Sequence, residues 1–181
     1  MKQSFLTLRC ALLSTLLLLS QTASAESLDS KSLWVSISLP VLSGVYAISQ
    51  NDNEGLKELA YASMFSIHLS TLLKNTVRRT RPDGGDSLSF PSGHSTAAFT
   101  GASFMHHRYG LAWGIPAYAI ATSIAYERIH SKKHYWTDVL AGSALGWVSG
   151  FLFTARYPHI WLESDFDPEN RAYSIQVKGL F

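Results

Sequence analysis

The chain has 181 residues, enough for one domain with a sizeable core, and a formal charge of only +2 with no long basic tract argues against a nucleic-acid partner. Both surplus charges, Lys2 and Arg9, lie in the first ten residues; removing them from the 15 basic residues leaves 13 against 13 acidic ones. The sole cysteine, Cys10, lies in the same stretch, so the remainder of the chain has no disulfide and no thiolate chemistry.

Residues 1–25 read as a secretion signal. A positive start is followed by the apolar run Ala11 to Leu19 and by the small-residue site Ala23-Ser24-Ala25. A retained anchor is the alternative reading of the same stretch. Residues 26–181 then form a single domain with a short tail from about residue 157.

Five apolar segments follow: about Leu33 to Ser49, Leu56 to Leu73, Ser95 to Met105, Leu111 to Tyr126 and Val139 to Ala155. Their apolar residues recur without strict alternation, which predicts helices and an all-α bundle of five to six of them. Polar stretches separate them at 50–55 and 83–87, Tyr109-Gly110 ends a helix, and Thr137 is placed to cap the last one. Gly142, Gly146 and Gly150, four apart, give that helix one smooth face for close packing. The segments are short for dedicated spans and carry polar residues, yet 46% hydrophobic residues is much for a soluble domain. The expectation is a membrane-embedded bundle, with a soluble periplasmic bundle as the alternative. Pairs of spans would bring 74–94 and 128–138 to one face. In the tail, Tyr173, Ile175 and Val177 alternate with polar residues as in a strand.

Three stretches carry chemistry. In Lys74-(x6)-Arg81-Pro82, seven residues make two helical turns, so a point charge and a forked cation share one face if the helix continues to Pro82. Arg78 and Arg79 compete for the same role, or serve as surface or headgroup contacts. In Pro91-Ser92-Gly93-His94, a glycine and a serine precede an apolar helix, where free backbone amides cradle phosphate and His94 stands ready to protonate a leaving oxygen. In Arg128-(x5)-His134-(x3)-Asp138, a carboxylate four residues on can reach one ring nitrogen and make the other nucleophilic. Arg128 would neutralise the transferring oxygens. His130 is the rival histidine, at poorer spacing, and His106 and His107 sit near the opposite end. No HExxH pattern or carboxylate cluster marks a metal site, so the expected chemistry needs neither metal nor cofactor.

Together these stretches resemble the phosphatidic acid phosphatase type 2 superfamily, whose pattern is Lys-x6-Arg-Pro, Pro-Ser-Gly-His and Ser-Arg-x5-His-x3-Asp. That group spans lipid phosphatases, undecaprenyl diphosphate phosphatases, bacterial acid phosphatases and vanadium haloperoxidases. The resemblance implies that Lys74, Arg81 and Arg128 bind phosphate oxygens with Ser92 and the Gly93 amide. It implies that His94 is the general acid, that His134 forms a phosphohistidine, and that Asp138 orients His134. The chain departs from the pattern at Glu127, where serine is usual, which bears on substrate preference. The expected function is hydrolysis of a lipid phosphate or diphosphate at the periplasmic face of the bacterial inner membrane, with a phosphorylated lipid and the membrane as partners. A soluble periplasmic acid phosphatase is the alternative, and a haloperoxidase a remote one.

Overall fold

The computed structural model describes residues 30–157, 159–167 and 172–180. The expected signal and its cleavage site therefore lie outside the described residues. Five helices follow one another: α1 (Ser30–Ser49), α2 (Asn53–Val77), α3 (Gly93–Tyr109), α4 (Leu111–His130) and α5 (Trp136–Phe153). They correspond to the five apolar segments. A C-terminal hairpin, β1 (His159–Asp167) antiparallel to β2 (Ala172–Leu180), adds to the helical bundle, with His159 opposite Leu180 and Asp167 opposite Ala172. Its second strand contains the alternating Tyr173, Ile175 and Val177.

Local chemistry moves the helix ends onto the motif residues. Ser92 caps α3 by accepting from the Ser95 amide, which puts Gly93 and His94 in the first turn. The helix bearing Lys74 stops at Val77, because Arg78 turns left-handed (φ 47°, ψ 51°) and its N–H closes on the Lys74 carbonyl. Lys74 and Arg81 thus do not share a helix; the chain is already irregular before Pro82, whose ring disfavours helix at Arg81. Nor does Thr137 cap the last helix. Tyr135 occupies the N-cap position, and its amide is taken by the Asp138 carboxylate at 3.0 Å.

Helix α3 is the hub, packed against each of the other four helices and most extensively against α5. The α3–α5 seam is close because Gly142 and Gly146 face α3 backbone; a Cβ there would collide with the Ser92 and Thr96 carbonyls. Beside buried Leu39, Leu59, Met105, Tyr109 and Ile124, much of the interior is small or polar. Ala98, Ala102, Ala121, Ser92, Thr96, Thr100 and Ser103 are buried with Phe104. Their hydroxyls are satisfied within or between helices, as in Thr100 to the Thr96 carbonyl (2.8 Å) and Ser103 to the Trp147 carbonyl (2.8 Å). Many large apolar side chains lie outside: Val41, Leu42, Val45 and Ile48 on α1, Ile115 on α4, Leu140 and Leu152 on α5 are all more than half exposed. Among the described residues, no helix is long and apolar enough to cross a membrane.

Candidate active site

Four helix ends meet at one pole of the bundle: the C-termini of α2 and α4 and the N-termini of α3 and α5. The chain between α2 and α3 is folded over this pole by two backbone bonds, Ser89 N–H to the Arg79 carbonyl (2.9 Å) and Arg81 N–H to the Asp86 carbonyl (3.1 Å). The turn between α4 and α5 is gathered by the Arg128 carbonyl, which accepts from both Lys133 and His134 amides at 3.1 Å. Ser92 N–H then ties the α3 entry to the Asp138 carbonyl at 2.9 Å. All three motif stretches thereby converge.

His134 is fully buried at the centre. One ring nitrogen, Nδ1, lies 2.7 Å from the Ser89 carbonyl, a partner that can only accept, so Nδ1 carries the proton. The other, Nε2, lies 3.2 Å from Arg81 Nη1, which can only donate, so Nε2 presents its lone pair. Burial, followed by the charges of Lys74 and Arg81 and then of Arg128, drives the imidazole pKa down to about 2. The ring is thus a neutral base across the working pH range, ringed by the three cations of the motifs.

Those cations are held in different ways. Lys74 Nζ donates to the Leu88 carbonyl at 2.7 Å, and its Cε is 3.7 Å from where a Gly93 side chain would begin, which sets the ammonium beside the α3 entry. Arg81, buried, donates through Nε to Asp86 (2.8 Å) and through Nη1 to the Lys133 carbonyl (3.2 Å). Burial alone would raise the Asp86 pKa, but the Arg81 and Leu88 donors and the Arg81 and Lys74 charges hold it below the ordinary value. Arg128 is only 6% exposed, yet among the described residues Nη1 has just a 3.4 Å contact with the exposed Glu127 and its buried Nε has no hydrogen-bond partner. A buried guanidinium N–H left unpaired is costly, and an anion in the pocket would satisfy it. His94 is buried in the first turn of α3 on the same pole.

Asp138 departs from expectation. Its Oδ2 is 4.0 Å from His134 Nδ1, too far for a hydrogen bond. Oδ2 instead accepts from the Ser89 hydroxyl (2.5 Å) and the Tyr135 amide (3.0 Å), and Oδ1 accepts from Arg79 (2.8 Å). The Ser89 carbonyl has taken the place the carboxylate was expected to fill, because Asp138 is drawn into capping its own helix. Arg79 is no surface contact: it also donates to Thr137 Oγ1 (2.7 Å) and lies 3.8 Å over the Tyr135 ring. Ser89 was not legible from sequence, since the working atom is a backbone carbonyl. Its position directly before Phe90-Pro91-Ser92 was the one available hint. Of the rival histidines, His130 is exposed and stacks on Tyr126, while His106 and His107 stack on each other towards the opposite pole. Among the described residues, no group of three or more His, Cys, Asp or Glu side chains could hold a metal ion.

Comparison with known proteins gives a consistent picture. The family model described as PAP2 superfamily matches residues 55–161, from α2 to the start of the hairpin. A lipid A 4'-phosphatase of Helicobacter pylori is 29% identical over 150 residues, covering 74% of this chain and 76% of the relative. A lipid A 1-phosphatase of Porphyromonas gingivalis is 34% identical over 91 residues, which span 44% of this chain and 20% of that protein. A decaprenylphosphoryl-5-phosphoribose phosphatase of Mycobacterium tuberculosis is 35% identical over 120 residues, 60% of this chain and 64% of the relative. In fold, the chain is similar to the crystal structure of Aquifex aeolicus LpxE, with a TM-score of 0.54 at 24% identity over 75% of this chain and 92% of that one.

Proposed function

The chain belongs to the PAP2 superfamily and is a phosphatase, and from that premise we propose that it hydrolyses a lipid phosphate through a phosphohistidine on His134. The observation that carries this reading is the buried His134, its Nε2 lone pair facing Arg81 at 3.2 Å and Lys74 and Arg128 as its further cationic neighbours. Three fixed cations are suited to the oxygens of a transferring phosphoryl group, supplying charge where it develops.

In the first half-reaction the Nε2 lone pair attacks phosphorus and the bond from phosphorus to the lipid oxygen breaks. His94 gives its proton to that leaving oxygen, and Nδ1 keeps its own proton against the Ser89 carbonyl. In the second, water attacks phosphorus, His94 takes the water proton, and the P–N bond breaks with its electron pair returning to Nε2. Ser92 and the Gly93 amide, at the N-terminus of α3, add donors to the phosphate.

Two observations support a lipid as the substrate. Relatives of this chain are named for lipid A and for a decaprenyl lipid, and lipid A phosphate is the first choice within the class. The bundle also turns many large apolar residues outward around an interior much of which is small or polar, the distribution suited to acyl chains rather than water. With the signal at residues 1–25, the site would face the periplasm.

The test is phosphate release by detergent-purified protein from lipid A, undecaprenyl diphosphate, phosphatidylglycerophosphate, phosphatidic acid and p-nitrophenyl phosphate, with EDTA present. Preference for a lipid, with an acid-labile phosphoenzyme on rapid quench, is expected. Equal turnover of the soluble ester would replace the lipid phosphatase by a non-specific one. Loss of activity in EDTA with rescue by metal would overturn the metal-free mechanism.

A further inference from the structure

The structure assigns to Ser89 the role of positioning residue for His134, with Asp138 and Arg79 acting on the imidazole through it; this rests on the reading of His134 as nucleophile. Ser89 is fully buried, and each of its polar groups meets a different part of the site. Its N–H donates to the Arg79 carbonyl (2.9 Å), its carbonyl accepts from His134 Nδ1 (2.7 Å) and its hydroxyl donates to Asp138 Oδ2 (2.5 Å). Asp138 in turn is held by Arg79 and by the Tyr135 amide, 4.0 Å from the ring it was expected to touch. The path from carboxylate to imidazole therefore runs through a serine.

This arrangement has chemical consequences. A neutral carbonyl fixes the tautomer, leaving Nε2 unprotonated, but stabilises a charged ring less than a carboxylate would. When Nε2 bonds to phosphorus, the ring becomes a phosphoimidazolium that keeps the Nδ1 proton. Positive charge then grows against the Ser89 carbonyl, and Asp138 opposes it from across the serine. Losing the hydroxyl frees the carbonyl to drift, and the attacking lone pair with it; sub-ångström misplacement of a nucleophile is expensive. The competing role is purely structural, in which Ser89 and Asp138 only pin the start of α5.

The experiment compares Ser89→Ala, Asp138→Asn and the double variant by rapid-quench phosphoenzyme formation and steady-state phosphate release from lipid A micelles. Each single change is expected to slow phosphoenzyme formation and kcat about 10- to 100-fold, the scale typical of groups that orient a working imidazole. KM stays within about threefold and the burst amplitude is unchanged, since the sites are intact but slow. The double variant is expected to be no slower than the worse single one. A multiplicative double effect, or a Ser89→Ala variant of near wild-type rate, would overturn the relay. A lowered amplitude at normal rate per site would show the structural role alone. Should Ser89→Ala not fold, Arg79→Gln at the half-exposed end of the chain replaces it, with a fall of about 3- to 10-fold expected to vanish in the Asp138→Asn background. Turnover by His134→Ala would instead remove the nucleophile on which the relay depends, and that separates the two failures.

Discussion

The two poles of the bundle both bury arginine, and they treat it oppositely. At the far pole Arg108 spends its donors on Asp52 through Nε (2.7 Å) and Nη2 (2.6 Å), and on Glu58 (3.2 Å) and the Ala155 carbonyl (3.0 Å) through Nη1. Tyr109 and the Gly55 amide complete Asp52 at 2.8 Å each. Helices α2 and α3 and the chain just beyond α5 are locked by one satisfied network. At the near pole Arg128 is as deeply buried, but among the described residues its Nε lacks a partner and its ion pair is a 3.4 Å contact with the exposed Glu127. One pole is closed chemistry suited to stability; the other is short of negative charge, as the proposed phosphate site requires.

If that division is right, substitutions at the two poles should separate activity from stability. The largest effect belongs to His134→Ala, expected to lower kcat on the order of 10⁴-fold or more while the protein still folds and melts cooperatively. Phosphate release would measure the first and circular dichroism the second. Substantial residual turnover would remove His134 from the role of nucleophile. Next is Arg108→Met, which strands Asp52 and Glu58 in the interior. It is expected to destabilise by about 3–5 kcal/mol, with the folded fraction turning over normally. Wild-type stability in chemical denaturation would show that the far pole is not the lock described.

The sequence made the helices legible, because long apolar segments without alternation leave little else to form. The end at Tyr109-Gly110 was legible too, but the helix ends beside the site, at Val77 and at Tyr135, were not. Lys74 and Arg81 were spaced for one helix face, but a single left-handed residue, Arg78, broke that register, and one sequence holds no clear sign of it. The three motif stretches do meet at one pole, as paired helical passes required. Which atoms face each other there was decided by tertiary bonds: Asp138 turned to its own N-terminal amide, to Arg79 and to Ser89, and a backbone carbonyl took the histidine. The burial of serine and threonine along α3, with many large apolar residues left outside, was equally hidden. It follows from the α3–α5 seam, where glycines admit backbone contact and leave no room for large side chains.

Arg128→Met sharpens the contrast between the two arginines. Methionine keeps much of the buried stem and removes an unpaired donor, so stability is expected to hold or rise by about 1 kcal/mol, the opposite of the far-pole outcome. Phosphate turnover should fall about 10²- to 10³-fold, as when a fixed donor to a developing anion is lost. Thermal melts and kcat on one preparation decide it. A large drop in Tm would mean that Arg128 is structural after all.

The smallest effect is a difference in titration. His134 takes a proton near 6.5 in the unfolded chain but only at about 2 in the folded one, so unfolding takes up a proton between those values. Its share of stability is whole above about pH 6.5 and shrinks as pH falls, by at most about 1.4 kcal/mol per pH unit. Asp52 behaves otherwise: burial raises its pKa, but the donors from Arg108, Gly55 and Tyr109 outweigh that and hold it below 3.8. Its contribution is intact above 3.8 and disappears only as pH drops through the lowered value. Between pH 6.5 and 4 His134 weakens the near pole, and His107, whose pKa burial also lowers, adds a share at the far pole that His134→Ala leaves in place. Stability measured over that range should fall more steeply for the wild-type protein than for His134→Ala, and parallel slopes would contradict the neutral imidazole. Saturating phosphate should flatten the wild-type slope, because a bound anion favours the imidazolium and draws the folded pKa back towards 6.5.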